Sequence, residues 1–357
     1  MILDYFRKKI QDKRTKPLLI KNTKKNINEK FKKLNFQYKR YGNKNPGKIF
    51  YIIRRTPGAG FFSNLNFVLH NLLICKKLKM IPFIDMENYP TIHNCRIKIN
   101  NSYNAWLYYF KPVSKYTLSE IYQSQNVILC DNKTSKDNLF SKKNYSSEFK
   151  YFNGFQYLTK EHRKIFEEYI IINKEILKKV EDFYEKFFKG KILGVCFRGS
   201  DQKTSGYQPY PPTEEQMLNA TNALIKKYKF DKIYLCTEDV DYLNLFKKFY
   251  GNKILYYDNP RTNNERDLFD GIDKKHRYNI GLGNLIDMLL LSKTNHILYA
   301  MSNIPTASIF YANKKNFPTS IIDNGMKGNI FISQFSFSLR KILPHCLGGF
   351  KKNLLKL

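Results

Sequence analysis

The sequence has no apolar run long enough to cross a membrane. A membrane-spanning helix needs about 20 consecutive apolar residues, and charged or polar residues interrupt every apolar run of this chain well before that length. The first residues, MILDYFRKK, carry charges where a secretory signal has its apolar stretch. These absences predict a protein of the cytoplasm.

Cysteine is scarce and scattered. The six cysteines lie far apart, without a Cys-x-x-Cys pair or a histidine at metal-ligand spacing. The pattern excludes a disulfide scaffold and a zinc motif. It agrees with a reducing compartment.

Acidic residues are also few. The chain has 30 Asp and Glu against 62 Lys and Arg, a formal net charge of +32. Such a surplus attracts phosphate-bearing partners, and nucleic acid, anionic lipid and a nucleotide-linked small molecule all satisfy it. The lysines are spread along a chain rich in Ile and Asn, as an AT-rich genome also produces, so charge alone does not rank these partners.

The charge is densest in residues 1–48, which hold 16 Lys or Arg against Asp4, Asp12 and Glu29. Apolar residues are interspersed among the basic ones. Two interpretations follow: a foot that binds the inner face of an anionic membrane peripherally, and a solvated basic tail.

The rest of the chain has the pattern of two α/β domains, for which 357 residues are sufficient. Apolar runs alternate with longer amphipathic stretches, which is typical of strands and helices in a parallel sheet. We therefore predict two Rossmann-like halves. The predicted segments are a basic N-terminal segment (1–48), an N-terminal Rossmann-like domain (49–158), linking helices (159–188), a C-terminal Rossmann-like domain (189–330) and a C-terminal helix with a basic tail (331–357).

Polar residues follow the predicted strands of the second half, where an open α/β sheet binds its ligands. The strands predicted there are 192–197, 233–236, 254–257, 296–300 and 320–323. Four polar groups follow them: Arg198-Gly199-Ser200-Asp201, Thr237-Glu238-Asp239, Asp258-Asn259 and Met301-Ser302-Asn303.

Arg198 is the strongest catalytic candidate because it directly follows a buried strand. A guanidinium fixed there can donate two hydrogen bonds to a diphosphate and stabilise the charge of a leaving group. The alternative is a structural salt bridge between Arg198 and Asp201. Ser302 also has two interpretations. It either binds an anion at the start of a helix or serves only as the N-cap of that helix.

Several segments together resemble the fucosyltransferase superfamily, which includes α1,6-fucosyltransferases, the nodulation fucosyltransferase and protein O-fucosyltransferases. Residues 193–201, LGVCFRGSD, are similar to the family's strand with its arginine. Three further segments match in order: the glycine loop with Asn at Gly60–Asn64, the segment 233–239, and the helix with Asp287 followed by Ser302-Asn303. The likeness covers about 230 residues.

The resemblance implies a GT-B glycosyltransferase that transfers L-fucose or a related sugar, such as a heptose, from a GDP-sugar with inversion. The N-terminal half would bind a glycan or glycolipid acceptor across a cleft, in a pathway such as capsule or lipooligosaccharide synthesis. No divalent metal is expected, because the arginine takes its place. The donor-binding residues it implies are Gly60, Asn64, Arg198, Glu238, Asp239, Asp287, Ser302 and Asn303.

The chain departs from the family at three positions. Cys196 replaces the histidine before the arginine, Gly199 replaces a second arginine, and residues 204–207 lack the family's carboxylate. Asp201 is therefore the candidate general base. His276 and Arg277 resemble a His-x-Arg-Tyr stretch and are predicted in a basic loop, either closing over the donor or solvated.

Two other classes of function remain. The Asp239-Val240-Asp241 triplet resembles a metal-binding D-x-D motif, but its position at a predicted helix start also favours paired acids without any metal. A nucleic-acid-binding protein would fit the charge, yet no recognised nucleic-acid motif is present, so no specific nucleic acid is expected as a partner. A non-catalytic membrane scaffold is the third class.

Overall fold

The computed structural model describes residues 37–55, 60–130, 154–199, 202–203, 208–262, 269, 273–328 and 330–351. The chain divides into two compact units, Met1–Asn173 and Lys174–Leu357. The predicted linking stretch 159–188 is shared between them, because the first of its two helices lies in one unit and the second in the other.

The first unit contains a four-stranded sheet in the order β1-β4-β2-β3. Strands β2, β3 and β4 are parallel, and β1 pairs antiparallel with β4. The strand bounds are β1 (Gln37–Lys39), β2 (Phe50–Ile53), β3 (Ile81–Ile84) and β4 (Val127–Leu129). The helices of this unit are α1 (Phe61–Leu78), α2 (Leu118–Ile121) and α3 (Lys160–Tyr169).

Helix α1 connects β2 to β3 as the sequence predicts. It is buried from Phe61 to Cys75, and Lys76 and Lys77 lie in its last turn, where positive charge is favourable. It ends at Lys79, which adopts the left-handed conformation with φ 55°. This β-α-β order is that of a Rossmann-like half.

The N-terminal boundary differs from the prediction. The sequence assigns residues 37–48 to the basic segment, but β1 joins the sheet and Tyr41 packs in the core beside Phe50. Strand β1 has three residues and one apolar side chain, which is too short a pattern to predict a strand from the sequence. The preceding residues, 1–36, lie outside the described part of the chain.

The second unit contains a five-stranded, fully parallel sheet in the order β7-β6-β5-β8-β9. Its strands are β5 (Ile192–Cys196), β6 (Lys232–Cys236), β7 (Ile254–Leu255), β8 (His296–Tyr299) and β9 (Thr319–Ile321). Its helices are α4 (Lys174–Phe187), α5 (Glu214–Tyr228), α6 (Val240–Tyr250), α7 (His276–Ser292), α8 (Asn303–Ala312) and α9 (Ile330–Ile342).

This unit confirms the predicted alternation of strands and helices. Strands β5, β6 and β8 are buried along almost their whole length, as expected of a parallel sheet covered on both faces. Helix α5 begins with a capping box, in which Thr213 and Gln216 each bond the other's backbone N–H. Together with the β-α-β order of the first unit, this alternation confirms the α/β class and the two Rossmann-like halves.

The strand order places a topological switch point between β5 and β8. The chain runs outward from β5 through β6 and β7, then returns to the opposite side of β5 with β8 and β9. Ligands of open α/β sheets bind at such a point, outside the carboxyl ends of the strands. Among the described residues, no helix is long and apolar enough to cross a membrane.

Candidate functional site

The switch point brings two predicted segments together. Strands β5 and β8 are paired with Cys196 opposite Tyr299, so Arg198 and Met301 each follow two residues beyond that pair. The side-chain amide of Gln202 also donates to the carbonyl of Met301 at 3.3 Å. The loop after β5 and the loop after β8 therefore form one edge of the site.

Arg198 is at this edge and is not directed into the core. Its side chain is 25% exposed, and its Nε lies 3.5 Å from Oε1 of Glu238. The same carboxylate oxygen accepts the backbone N–H of Gly199 at 3.3 Å. Glu238 therefore restrains the arginine and the following peptide. Asp201, the candidate base and alternative partner of Arg198, lies outside the described residues.

The carboxylate of Asp239 is buried and bonds to other groups of the protein. Asp239 is 1% exposed, and its carboxylate accepts the backbone N–H groups of Asp241 at 2.9 Å and Tyr242 at 3.4 Å. It also pairs with Lys203 at 3.0 Å. Asp239 is thus the N-cap of α6, and no group of side chains able to hold a metal occurs in the described ranges.

Gly199 is glycine because its neighbours leave no room for a side chain. A Cβ atom there would lie 2.6 Å from both the Asp239 carboxylate and the Tyr242 ring. The Tyr242 ring is itself stacked on Phe197, with centroids 3.7 Å apart. The position at which the resembling enzymes carry a second arginine is therefore closed to one here.

The start of α8 forms the other side of the edge. Ser302 is its N-cap, but the Ser302 side chain makes no capping hydrogen bond to the described backbone. Its hydroxyl oxygen is buried and has no hydrogen-bond partner within the part of the chain that the structure describes, which is an unusual state for a buried polar atom. Because a helix start presents unsatisfied N–H groups, Ser302 and Asn303 offer donors to an anion.

Asp287 lies at the centre of a buried network. Its carboxylate accepts the Tyr234 hydroxyl at 2.5 Å and the Asn259 side-chain amide at 2.9 Å. Burial raises the pKa of the Asp287 carboxyl to about 6, while these hydrogen bonds act in the opposite direction. Gly283, one turn before Asp287 on α7, leaves the space that the Asn259 side chain occupies.

Arg261 fixes the loop that contains Asn259. Its guanidinium donates to three backbone carbonyls, those of Thr237 at 3.1 Å, Asn259 at 3.0 Å and Tyr257 at 2.6 Å. The loop after β7 is thereby tied to the end of β6. Sequence reasoning missed Arg261, because an isolated arginine beyond a strand end gives no motif signal.

Lys327 is a second residue that the sequence did not indicate. It is 3% exposed, and its ammonium group donates to the backbone carbonyl of Gln202. A buried lysine is rare unless it is paired. It places a further positive charge behind the loop that carries Arg198.

The predicted loop at His276 and Arg277 is wrong. Both residues lie in the first turn of α7, the helix that also contains Asp287. Arg277 donates through Nε to the carbonyl of Phe269 at 3.2 Å. Two glycines near this start of the helix, Gly281 and Gly283, lower the helix propensity that sequence reasoning relies on.

Two predicted donor-binding residues belong to the first unit. Gly60 is the N-cap of α1, and its carbonyl accepts the backbone N–H of Asn64 at 3.1 Å. Asn64 is 5% exposed and lines a small cavity with His93 and Trp106. Their donor contact stays a prediction.

Comparisons with known proteins give structural likenesses only. The fucosyltransferase NodZ from Bradyrhizobium matches with a TM-score of 0.49 and 17% identity, over 79% of this chain and 97% of that one. POFUT1 in complex with GDP matches with a TM-score of 0.42 and 11% identity, over 78% and 99%. A point mutant of Arabidopsis thaliana FUT1 in complex with GDP matches with a TM-score of 0.42 and 10% identity, over 91% and 78%.

No family model and no curated protein matches the sequence. Identities and TM-scores at the level of these three structures do not establish membership of a family. The function therefore has to be inferred from the chain's own residues.

Proposed function

We propose that this protein is an inverting glycosyltransferase of GT-B architecture that uses a GDP-sugar, GDP-fucose or a relative of it. The observation that carries the proposal is the switch point, where Arg198 and the start of α8 leave neighbouring strands. A cation and a set of unsatisfied N–H donors at one edge suit a diphosphate. Among ligands that contain a diphosphate, the resemblance of residues 193–201 to the fucosyltransferase motif favours a sugar nucleotide.

Arg198 would neutralise the diphosphate as the sugar departs. Negative charge grows on the leaving group during transfer, and donors fixed in advance are usually the largest catalytic contribution. The ion pair with Glu238 runs through Nε, and a guanidinium held at Nε can present its two terminal nitrogens to phosphate oxygens. Glu238 would then orient the arginine instead of binding the donor itself.

Ser302 and Asn303 would bind the same diphosphate from α8. A buried hydroxyl without a partner loses the free energy of a hydrogen bond, about 1–3 kcal/mol, and a phosphate oxygen would restore it. Asp287 would act indirectly, without touching the diphosphate. Its hydrogen bonds with Asn259 and Tyr234 hold the loop after β7 in place. The general base is proposed to be Asp201.

The acceptor is proposed to be a glycan or glycolipid of a bacterial surface, such as capsule or lipooligosaccharide, bound by the N-terminal half. A GDP-heptose donor is the closest alternative within the same class. Nucleic-acid binding would use the charge of +32, but the sequence contains no recognised nucleic-acid motif.

The direct test is thermal-shift titration of the full chain with GDP, UDP, CMP and a short oligonucleotide at two salt concentrations. GDP should stabilise the protein most and with little salt dependence. A ligand at a hundred times its Kd adds about 2.7 kcal/mol, which such a titration detects easily. Stabilisation by the oligonucleotide alone, lost at high salt, would reject the proposal.

Arg198→Ala should keep the fold and lose two or more orders of magnitude in donor turnover, on the scale of a deleted oxyanion donor. Arg198→Lys should recover little, since an ammonium does not reproduce the planar fork. Arg163→Ala is the matched control, because Arg163 pairs on the surface with Glu167. Turnover of Arg198→Ala equal to that of this control would remove Arg198 from the mechanism.

A further inference from the structure

Helix α9 presents apolar side chains to solvent. Phe335 is 76% exposed, Leu339 57% and Ile342 82%. Their spacing of four and three residues places them on one face of the helix. Leu347, 66% exposed, lies five residues beyond the end of α9, in the short 3-10 helix His345–Leu347. These four residues are called the α9 face below.

The opposite face of α9 fixes its orientation. Phe337 is buried in a cluster with Tyr210 and Phe350. The guanidinium of Arg340 lies 4.8 Å above the Tyr210 ring and 4.6 Å above the Phe350 ring. Lys341 pairs with Glu214 of α5 at 2.7 Å. These contacts attach the helix to its own unit, and the α9 face lies on the side away from them.

The stretch of sequence that contains α9 carries charge of one sign. From Asn324 to Leu357 the sequence contains no Asp or Glu, and its basic residues are Lys327, Arg340, Lys341, Lys351, Lys352 and Lys356. A helix with an outward apolar stripe in a purely basic segment is the pattern of a helix that lies in a membrane interface. Association of two copies is disfavoured, since each carries a formal charge of +32.

We propose that the α9 face binds the surface of an anionic phospholipid bilayer. Phe335, Leu339 and Ile342 would enter the boundary between headgroups and acyl chains. The exposed Lys351 and the positive net charge of the chain would attract the anionic headgroups. This contact is independent of the proposed sugar transfer and of the basic N-terminal segment.

The test is flotation of the full chain with vesicles of phosphatidylcholine alone and of phosphatidylcholine mixed with phosphatidylglycerol. The wild type should float with the mixed vesicles and not with pure phosphatidylcholine. The triple variant Phe335→Ser, Leu339→Ser, Ile342→Ser should lose about tenfold or more in vesicle partitioning. Phe249→Ser is the matched control, because Phe249 is an equally accessible residue of α6, 58% exposed.

A triple variant that floats like the wild type would overturn the proposal. A wild type that is a dimer by light scattering, through the α9 face, would overturn it as well. Circular dichroism and GDP titration of the triple variant separate the two proposals, since neither should change if only the membrane contact is lost.

A fluorescent variant gives a second readout. The chain has one tryptophan, Trp106, which is 3% exposed and supplies a constant background. Phe335→Trp should therefore show a blue shift of emission when mixed vesicles are added. The absence of a shift while the protein floats would place the contact elsewhere and refute the assignment to α9.

Discussion

Replacing Gly199 with alanine should damage the site through a collision that the structure defines. The new Cβ atom would lie 2.6 Å from the Asp239 carboxylate oxygen and 2.6 Å from the Tyr242 ring, closer than such atoms approach in folded proteins. Neither neighbour is free to move. Asp239 caps α6 and pairs with Lys203, and Tyr242 is buried and stacked on Phe197.

The backbone at position 199 must therefore shift. Overpacking of this kind costs about 1–3 kcal/mol of stability. The larger effect should fall on Arg198, because the two residues share a peptide bond and that peptide is held by Glu238. A misplacement of about 1 Å in a catalytic group can lower the rate about a hundredfold, so turnover should fall much more than stability.

Urea unfolding, calorimetric titration with GDP and donor turnover measure the two effects separately. Gly47→Ala is the control, since no atom of the described residues lies within 4 Å of its added Cβ. If Gly199→Ala unfolds at the same urea concentration as this control and retains full turnover, the close packing of Gly199 against α6 does not position the arginine.

Two further substitutions test the charges around the site. Lys203→Ala should destabilise the protein by about 1–3 kcal/mol, because it removes a partner from the Asp239 carboxylate, which is 2% exposed. Asp287→Asn should change the pH dependence of stability. The pKa of the folded Asp287 carboxyl is raised from 3.8 to about 6, so its ionisation opposes folding. The wild type should therefore lose stability relative to Asp287→Asn as pH rises through that interval, by about 3 kcal/mol at most, and stay level above it.

Each of these two substitutions has a comparison that checks it and an outcome that would contradict the prediction. For Lys203→Ala the control is Lys76→Ala, which breaks an exposed ion pair with Glu168 worth about 0–1 kcal/mol. Equal losses in the two variants would show that the buried position of Asp239 adds nothing. For Asp287, parallel curves of unfolding free energy against pH for wild type and variant would contradict the raised pKa.

The positions of the candidate residues could be predicted where they depend on strand ends. Buried strands are recognisable as short apolar runs, and a parallel sheet gathers its carboxyl ends at one edge. The sequence therefore places Arg198, Glu238 and Ser302 beyond strand ends, and in the structure they follow the neighbouring parallel strands β5, β6 and β8. The partner of each could not be predicted, because a choice such as Glu238 for Arg198 depends on side-chain directions across two strands.

Residues whose side chains bond to backbone carbonyls could not be predicted from the sequence. Arg261 binds carbonyls of three residues, and Lys327 donates to the carbonyl of Gln202 from more than a hundred residues away. Backbone carbonyls are present at every residue and leave no signal in the sequence. The start of α7 was missed for a related reason, since local propensity opposed a helix that tertiary packing stabilises.

The ion pair between Arg198 and Glu238 bears on the proposed exchange of partners when a diphosphate binds. At 3.5 Å, with side chains 25% and 16% exposed, the pair is long and partly hydrated, and pairs of that kind contribute little to stability, about 0–1 kcal/mol. A diphosphate carries more charge and accepts two parallel hydrogen bonds, each charge-assisted and worth about 1.5–3 kcal/mol. In the proposed function, binding of the diphosphate would therefore outweigh the pairing with Glu238, while the carboxylate would keep the arginine oriented before the ligand arrives.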